Sequence, residues 1–104
     1  IRAMQFIREH ACDGITVEDV LRQVPLSRRM FEARFTRWTG KTPYAMIAER
    51  RLQRVEQLLR ETDLSQEEIA RQSGFEYVQY MCTAFRRVYG TPPGRYRRQR
   101  LDFS

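Results

Sequence analysis

Most of what enzymes and secreted scaffolds are built from is scarce in this sequence. Its 104 residues include one histidine, His10, and two cysteines, Cys12 and Cys82. The two thiols lie far apart and have no metal-ligand spacing, so they read as reduced cytosolic cysteines and not as a zinc site or a disulfide framework. His10 stands near Cys12, but a Cys–His nucleophile pair also needs an orienting third group, and nothing in the sequence suggests one. No catalytic, metal or cofactor site is expected. No apolar run approaches the roughly 18 residues that cross a bilayer. There is no signal-like stretch, and a chain that opens on Ile1 reads as a piece of a longer protein. Lysine is almost missing: of the 19 basic residues, 18 are arginine and the other is Lys41. No period-2 strand of useful length occurs.

What is present is helical pattern and positive charge. Hydrophobic residues make up 41% and charged ones 31%, enough for a modest core. The net charge is +6 and unevenly spread. Residues 1–26 carry −1, 27–60 carry +6, 61–74 carry −3 and 75–104 carry +4. Two basic stretches thus each follow a more acidic one, as expected where two basic surfaces rest on acidic supports.

A repeat underlies that alternation. Residues 15–23 align with 64–72 at an offset of 49, and further on the offset becomes 50. Phe31 then matches Met81, Phe35 matches Phe85, Arg37 matches Arg87, Gly40 matches Gly90 and Pro43 matches Pro93. Two copies are too few for a solenoid and imply two related helical units with a connector between them. Thr16 and Ser65 are hydroxyl N-caps. Ser65 with Glu68 makes a full capping box, and Thr16 with the shorter Asp19 a weaker one. Ile15 and Leu64 can staple onto Val20 and Ile69. A tight turn follows, over Ser73-Gly74-Phe75 in the second copy. In the first it runs over Val24-Pro25-Leu26-Ser27, where Pro25 cannot take positive φ and a different construction is required. A second helix follows in each unit, to about Trp38 in one and from about Tyr77 to Tyr89 in the other, stopped by Gly40 and Gly90. Ala3, Met4, Ile7 and Ala11 predict a leading helix, and Pro92–Leu101 a basic closing one. Between the units, Tyr44, Ala48, Leu52, Val55 and Leu59 predict a connector over Pro43–Leu59, about 26 Å long. The expected fold is all-α with about seven helices: a first helix-turn-helix subdomain at 1–41, the connector at 42–60 and a second subdomain at 61–104.

Helix, tight turn and a basic second helix follow the logic of a DNA reader, whose second helix enters the major groove. In the first unit Phe31, Phe35 and Trp38 form the stripe expected to face the core. Arg29, Glu32, Ala33 and Thr36 are left outward. Arg29 can fork onto guanine, Glu32 can accept from cytosine and Ala33 can touch a thymine methyl. Arg28 sits at the helix start, where phosphate meets the positive helix end. In the second unit Met81 and Phe85 point inward, with Val88 and Tyr89 extending the apolar side. Val78, Gln79, Cys82 and Thr83 are expected outward, with Arg86 one turn on. Tyr80 has a ring that can pack and a hydroxyl that can touch phosphate. Phosphate contacts are expected from Ser27, Arg28, Thr36 and Arg86. The less charged second helix should discriminate sequence less than the first.

The string Gly74-Phe75, Tyr80-Met81, Ala84-Phe85-Arg86-Arg87 and Tyr89-Gly90-Thr91-Pro92-Pro93 with Tyr96-Arg97 resembles the signature of AraC/XylS-type bacterial transcription regulators. Arg51-Leu52 with Leu58-Leu59 resembles that family's connector helix, and Ser27, Phe31, Phe35, Gly40, Thr42 and Pro43 extend the likeness to the first unit. His10–Ile15 with Val20-Leu21 is similar to the C-terminal domain of xylose-operon activators. The resemblance implies two recognition helices in successive major grooves over an asymmetric, direct pair of half-sites. Base contacts would map onto Arg29, Met30, Glu32 and Ala33, and onto Val78, Gln79, Tyr80, Cys82 and Thr83. It also implies a cytoplasmic, nucleoid-associated regulator that activates a catabolic operon, such as one for a sugar. Double-stranded DNA and RNA polymerase would be its partners, and an effector domain for a small molecule such as a sugar would precede Ile1. Pro25, Leu21 and Met81 depart from the family's usual Gly, Ala and Phe. The alternative is a protein-interaction module anchored by Trp38, Tyr77 or Tyr89, without base-specific reading.

Overall fold

The computed structural model describes residues 2–102, with side chains over 2–99. It is all-helical there, with no strand among the described residues. Helix α1 spans Arg2–His10 and passes into a 3-10 turn at Ala11–Asp13. Next come α2 (Val17–Leu21), α3 (Arg28–Thr39), α4 (Pro43–Glu61), α5 (Gln66–Ser73), α6 (Val78–Tyr89) and α7 (Pro93–Asp102). The molecule is elongated, 48 × 23 × 21 Å.

Local chemistry sets each boundary. Thr42 accepts from the Ala45 amide at 3.1 Å, and Pro43 occupies the first helical position of α4. With 19 residues α4 is slightly longer than expected, about 28 Å. At the second turn, Gly74 takes φ +87° and the Phe75 amide reaches back to the Ala70 carbonyl at 2.9 Å. The first turn contains no positive φ. It tightens instead through amides of Gln23 and Val24 bonded to the carbonyls three residues back, as the proline requires.

The capping expectation is reversed. In the first unit the box is complete: Asp19 donates its amide to Thr16 Oγ1, and the Thr16 amide donates to Asp19 Oδ2 at 2.9 Å. In the second, Ser65 accepts from the Glu68 amide at 3.1 Å, but the Glu68 carboxylate turns away to Arg71 and Gln72. A guanidinium one turn along outcompetes a neutral amide for the longer carboxylate.

Two cores result, consecutive along the chain. The first gathers Ala3, Ile7, Ala11, Val17, Val20, Phe31, Phe35 and Ile47. The second gathers Leu52, Val55, Leu58, Leu59, Ile69, Ala70, Met81 and Phe85. Helix α4 serves both, giving Ile47 to one and its later turns to the other. Tyr44, expected on its buried stripe, is 72% exposed, and Ile47 fills the first core instead. Ile47 stands five residues before Leu52, well round the helix from the Leu52–Leu59 stripe, and so turns to the first core and not the second. Beyond α4, the Arg97 guanidinium closes the turn, donating to the carbonyls of Leu59, Leu64 and Thr62 at 3.2, 2.9 and 3.0 Å. A cation at a helix C-terminus satisfies orphan carbonyls and meets the negative end of the dipole.

Candidate nucleic-acid interface

Helix α3 begins at Ser27, whose hydroxyl accepts from the Met30 amide at 3.2 Å. Phe31 and Phe35 are buried with rings 5.5 Å apart and fix the rotation of the helix. That rotation leaves Arg29, Met30, Ala33 and Thr36 exposed on the outer side. Glu32 is half-buried and pairs with Arg28 at 3.5 Å; Arg28 also donates to Glu18 of the supporting helix. Glu18 first, then Glu32, holds the Arg28 guanidinium above its ordinary pKa.

Trp38 does not face the core. It is 74% exposed, and its repeat counterpart Val88 is 64% exposed. The buried rows run at i, i+4, i+8 through 31-35-39 and 81-85-89, which leaves Trp38 and Val88 outside their margin. Thr39 settles inward instead and donates to the Phe35 carbonyl at 2.8 Å.

Helix α6 is aimed by Met81 and Phe85, both fully buried. Phe85 stacks on Tyr89 at 4.3 Å and meets Tyr96 edge-on at 5.2 Å, so Tyr89 is part of the core and not a free anchor. The Tyr77 side chain makes no capping bond; its ring lies edge-on to Tyr80, at 5.3 Å. Gln79, Tyr80, Thr83 and Arg86 are exposed. Val78 and Cys82, expected outward, are half-buried and pack against the second core. The apolar stripe 78-81-82-85-89 is wider than Met81 and Phe85 alone suggested. The Cys82 thiol donates to Gln66 Oε1 at 3.3 Å, and burial pushes its pKa up, away from reactivity. Burial does the same to Cys12. Among the described residues no group of three or more His, Cys, Asp or Glu side chains could hold a metal ion.

Charge separates the reading helices from the connector. On α4, Arg50, Arg51, Arg54 and Arg60 are each engaged by a main-chain carbonyl, a glutamine or a glutamate. On α3 and α6, among the described residues, Arg29, Arg34, Arg37, Arg86 and Arg87 make no ion pair or side-chain hydrogen bond, and all five are exposed. Unspent guanidinium groups on two outward helices are what phosphate and guanine recognition needs. Arg34, Arg37 and Arg87 were not among the sequence candidates. The repeat match of Arg37 with Arg87 was the signal that pointed to two of them.

A model of the helix-turn-helix domain family matches residues 20–99. The xylose operon regulatory protein of Escherichia coli strain K12 is 42% identical over 97 residues, which cover 93% of this chain and 25% of that protein. The chain thus spans about a quarter of the length of that curated relative. The solved structure of the xylose-binding transcription activator xylR superposes with a TM-score of 0.76 at 42% identity, over 91% of this chain and 25% of that one. The DNA-binding domain of AdpA, a global transcriptional factor solved with its target DNA, gives 0.88 at 30% identity, over 93% and 87%. With two helix-turn-helix units on a shared connector and outward arginines on both reading helices, this chain belongs to the AraC-type helix-turn-helix DNA-binding domains of transcription regulators.

Proposed function

We propose that the chain reads double-stranded DNA with α3 and α6 in successive major grooves of one face of the duplex, over two unlike half-sites. The observation that carries this reading is the pair of outward helices bearing unpaired arginines at either end of a connector whose own arginines are all engaged. A connector of about 28 Å with its flanking turns suits a groove repeat of about 34 Å. The units correspond to residues 1–41 and 61–104, joined through 42–60. Base edges fall to Arg29, Met30, Glu32 and Ala33 in the first groove and to Gln79, Tyr80 and Thr83 in the second, where Val78 and Cys82 contribute their half-exposed edges. Ser27, Arg28, Thr36 and Arg86 take phosphates, and Arg28 exchanges Glu18 for phosphate as it does so.

The domain would be the DNA-reading end of a longer bacterial regulator acting in the cytoplasm. The remainder of that protein would sense a small molecule of the sugar class, and contact with RNA polymerase would activate a catabolic operon. Selecting bound duplexes from a random library of about 30 base pairs tests the reading. Two different half-sites about 10–10.5 base pairs apart, centre to centre, are expected. A single enriched half-site would reduce it to one reading helix. Salt-sensitive binding without enrichment would leave a non-specific binder.

A further inference from the structure

Besides sharing α4, the two units meet where the 3-10 turn of the first lies against the end of α5. The contact is backbone on backbone. A Cβ at Gly74 would fall 2.7 Å from the Ala11 carbonyl oxygen and 3.0 Å from the Cys12 carbonyl carbon. Only hydrogen fits there. The matching position in the first unit is Pro25, which is exposed. The glycine therefore answers to a junction between units as well as to its own turn.

Arg51 of α4 stands at this junction. Its Nε donates to the Ala11 carbonyl at 2.7 Å and its Nη2 to the Ile15 carbonyl at 2.6 Å. The same Nε lies 2.9 Å from where a Gly74 Cβ would be. The side chain is half-buried, and burial pulls its pKa below the ordinary arginine value. No carboxylate pairs with it among the described residues. A partly desolvated cation without a counter-ion is a poor way to gain stability. What it provides is geometry: a planar fork ties the connector to both ends of the Ala11–Ile15 segment, against which the second unit's Gly74 turn lies.

We propose that Arg51 is a positioning residue that sets the rotational phase between the two reading helices, and with it the half-site spacing the domain accepts. The proposal rests on the two-groove reading. One inserted base pair moves the second half-site by about 3.4 Å and turns it by about 34°. A locked pair of readers cannot follow that displacement, whereas readers hinged at this junction can.

The test uses the 104-residue chain and the duplexes recovered by selection, with the spacing between half-sites altered by one base pair in either direction, plus duplexes carrying one half-site. Two linked half-sites should bind wild type about 100-fold more tightly than one, with about tenfold of this lost on a one-base-pair change. Arg51→Met keeps the apolar stem and removes both donors. It should keep single-half-site affinity within about twofold, lower peak affinity about tenfold and reduce the spacing penalty to about threefold or less. Arg51→Lys, which replaces the planar fork by a point charge, should fall between, and it carries the test if the methionine variant does not fold. A variant profile as steep as wild type, even at uniformly weaker affinity, would show that Arg51 only supports the fold and overturn the proposal. A wild type indifferent to spacing while requiring both half-sites would overturn it too, leaving two-groove reading intact. A wild type gaining nothing from the second half-site would remove the two-groove reading itself.

Discussion

The two units share a path and differ in nearly every interaction that holds it. The first has a supporting helix of five residues and a proline turn; the second has one of eight residues and a glycine turn. Ser27 caps α3, whereas α6 starts from an uncapped Tyr77. Where α3 carries the pair Arg28 and Glu32, with Arg28 also tied to Glu18, α6 carries Val78 and Cys82 pressed against its core. The first helix is held by polar contacts at its margins and presents charge. The second is held by a deeper core, closed by the Phe85–Tyr89–Tyr96 aromatic cluster, and presents a less charged surface. Helix placement is therefore separable from helix chemistry: the core positions fix the direction, and the margins are free to specialise.

The deepest contrast to break is in the cores. Phe85→Ala should cost about 3–5 kcal/mol in urea unfolding, and Phe35→Ala, at the slightly open edge of its core, should fall at the low end of that range. Equal losses would remove the claimed difference in depth. The turns come next. Gly74→Ala meets both a left-handed backbone and the Ala11 carbonyl and should cost about 2–4 kcal/mol, while Pro25→Ala should stay within about 1 kcal/mol. Reading follows. Arg29→Ala should weaken binding by about 1–3 kcal/mol and relax preference at one base pair. Gln79→Ala should cost less, and a larger loss there would make the second unit the main discriminator.

The smallest effect concerns acid. Donation from the Thr16 amide, above all, holds Asp19 below its ordinary pKa, and Arg71, above all, does so for Glu68. Both carboxylates thus stabilise the fold above their unfolded pKa, and the benefit disappears as pH falls below about 4. Unfolding of Asp19→Asn and Glu68→Gln between pH 6 and 2.5 should show each difference from wild type shrinking. Added salt should erase that of Glu68, which depends on an exposed ion pair, and largely spare that of Asp19.

Much of this was legible beforehand. Helices, caps, connector and the doubled unit follow from local patterns, and Phe31, Phe35, Met81 and Phe85 are core residues as their spacing implies. Trp38, Val88 and Tyr44 are exposed, against expectation, because periodicity gives the angle of a side chain but not which margin of a stripe the neighbouring elements cover. Val78 and Cys82 lie at a stripe margin, which a two-sided division of a helix cannot express. Glu68 was misread because a capping box was judged without its competitor Arg71. Arg51 and Gly74 were seen as family likeness and turn residue respectively. Their contact with Ala11 depends on how two distant segments pack, which no local pattern encodes.

The consecutive cores have a consequence for how the chain is made. Among the described residues, the buried members of the first lie between Ala3 and Ile47, and those of the second begin at Leu52. As the polypeptide leaves the ribosome, the first unit can close before the second has emerged, since domains generally fold as units from the N-terminal side during synthesis. Nascent second-unit residues then meet a preformed surface on the first half of α4 and the 3-10 turn. The earlier half acts as a template for the later one, which limits swapped pairing between two such similar sequences.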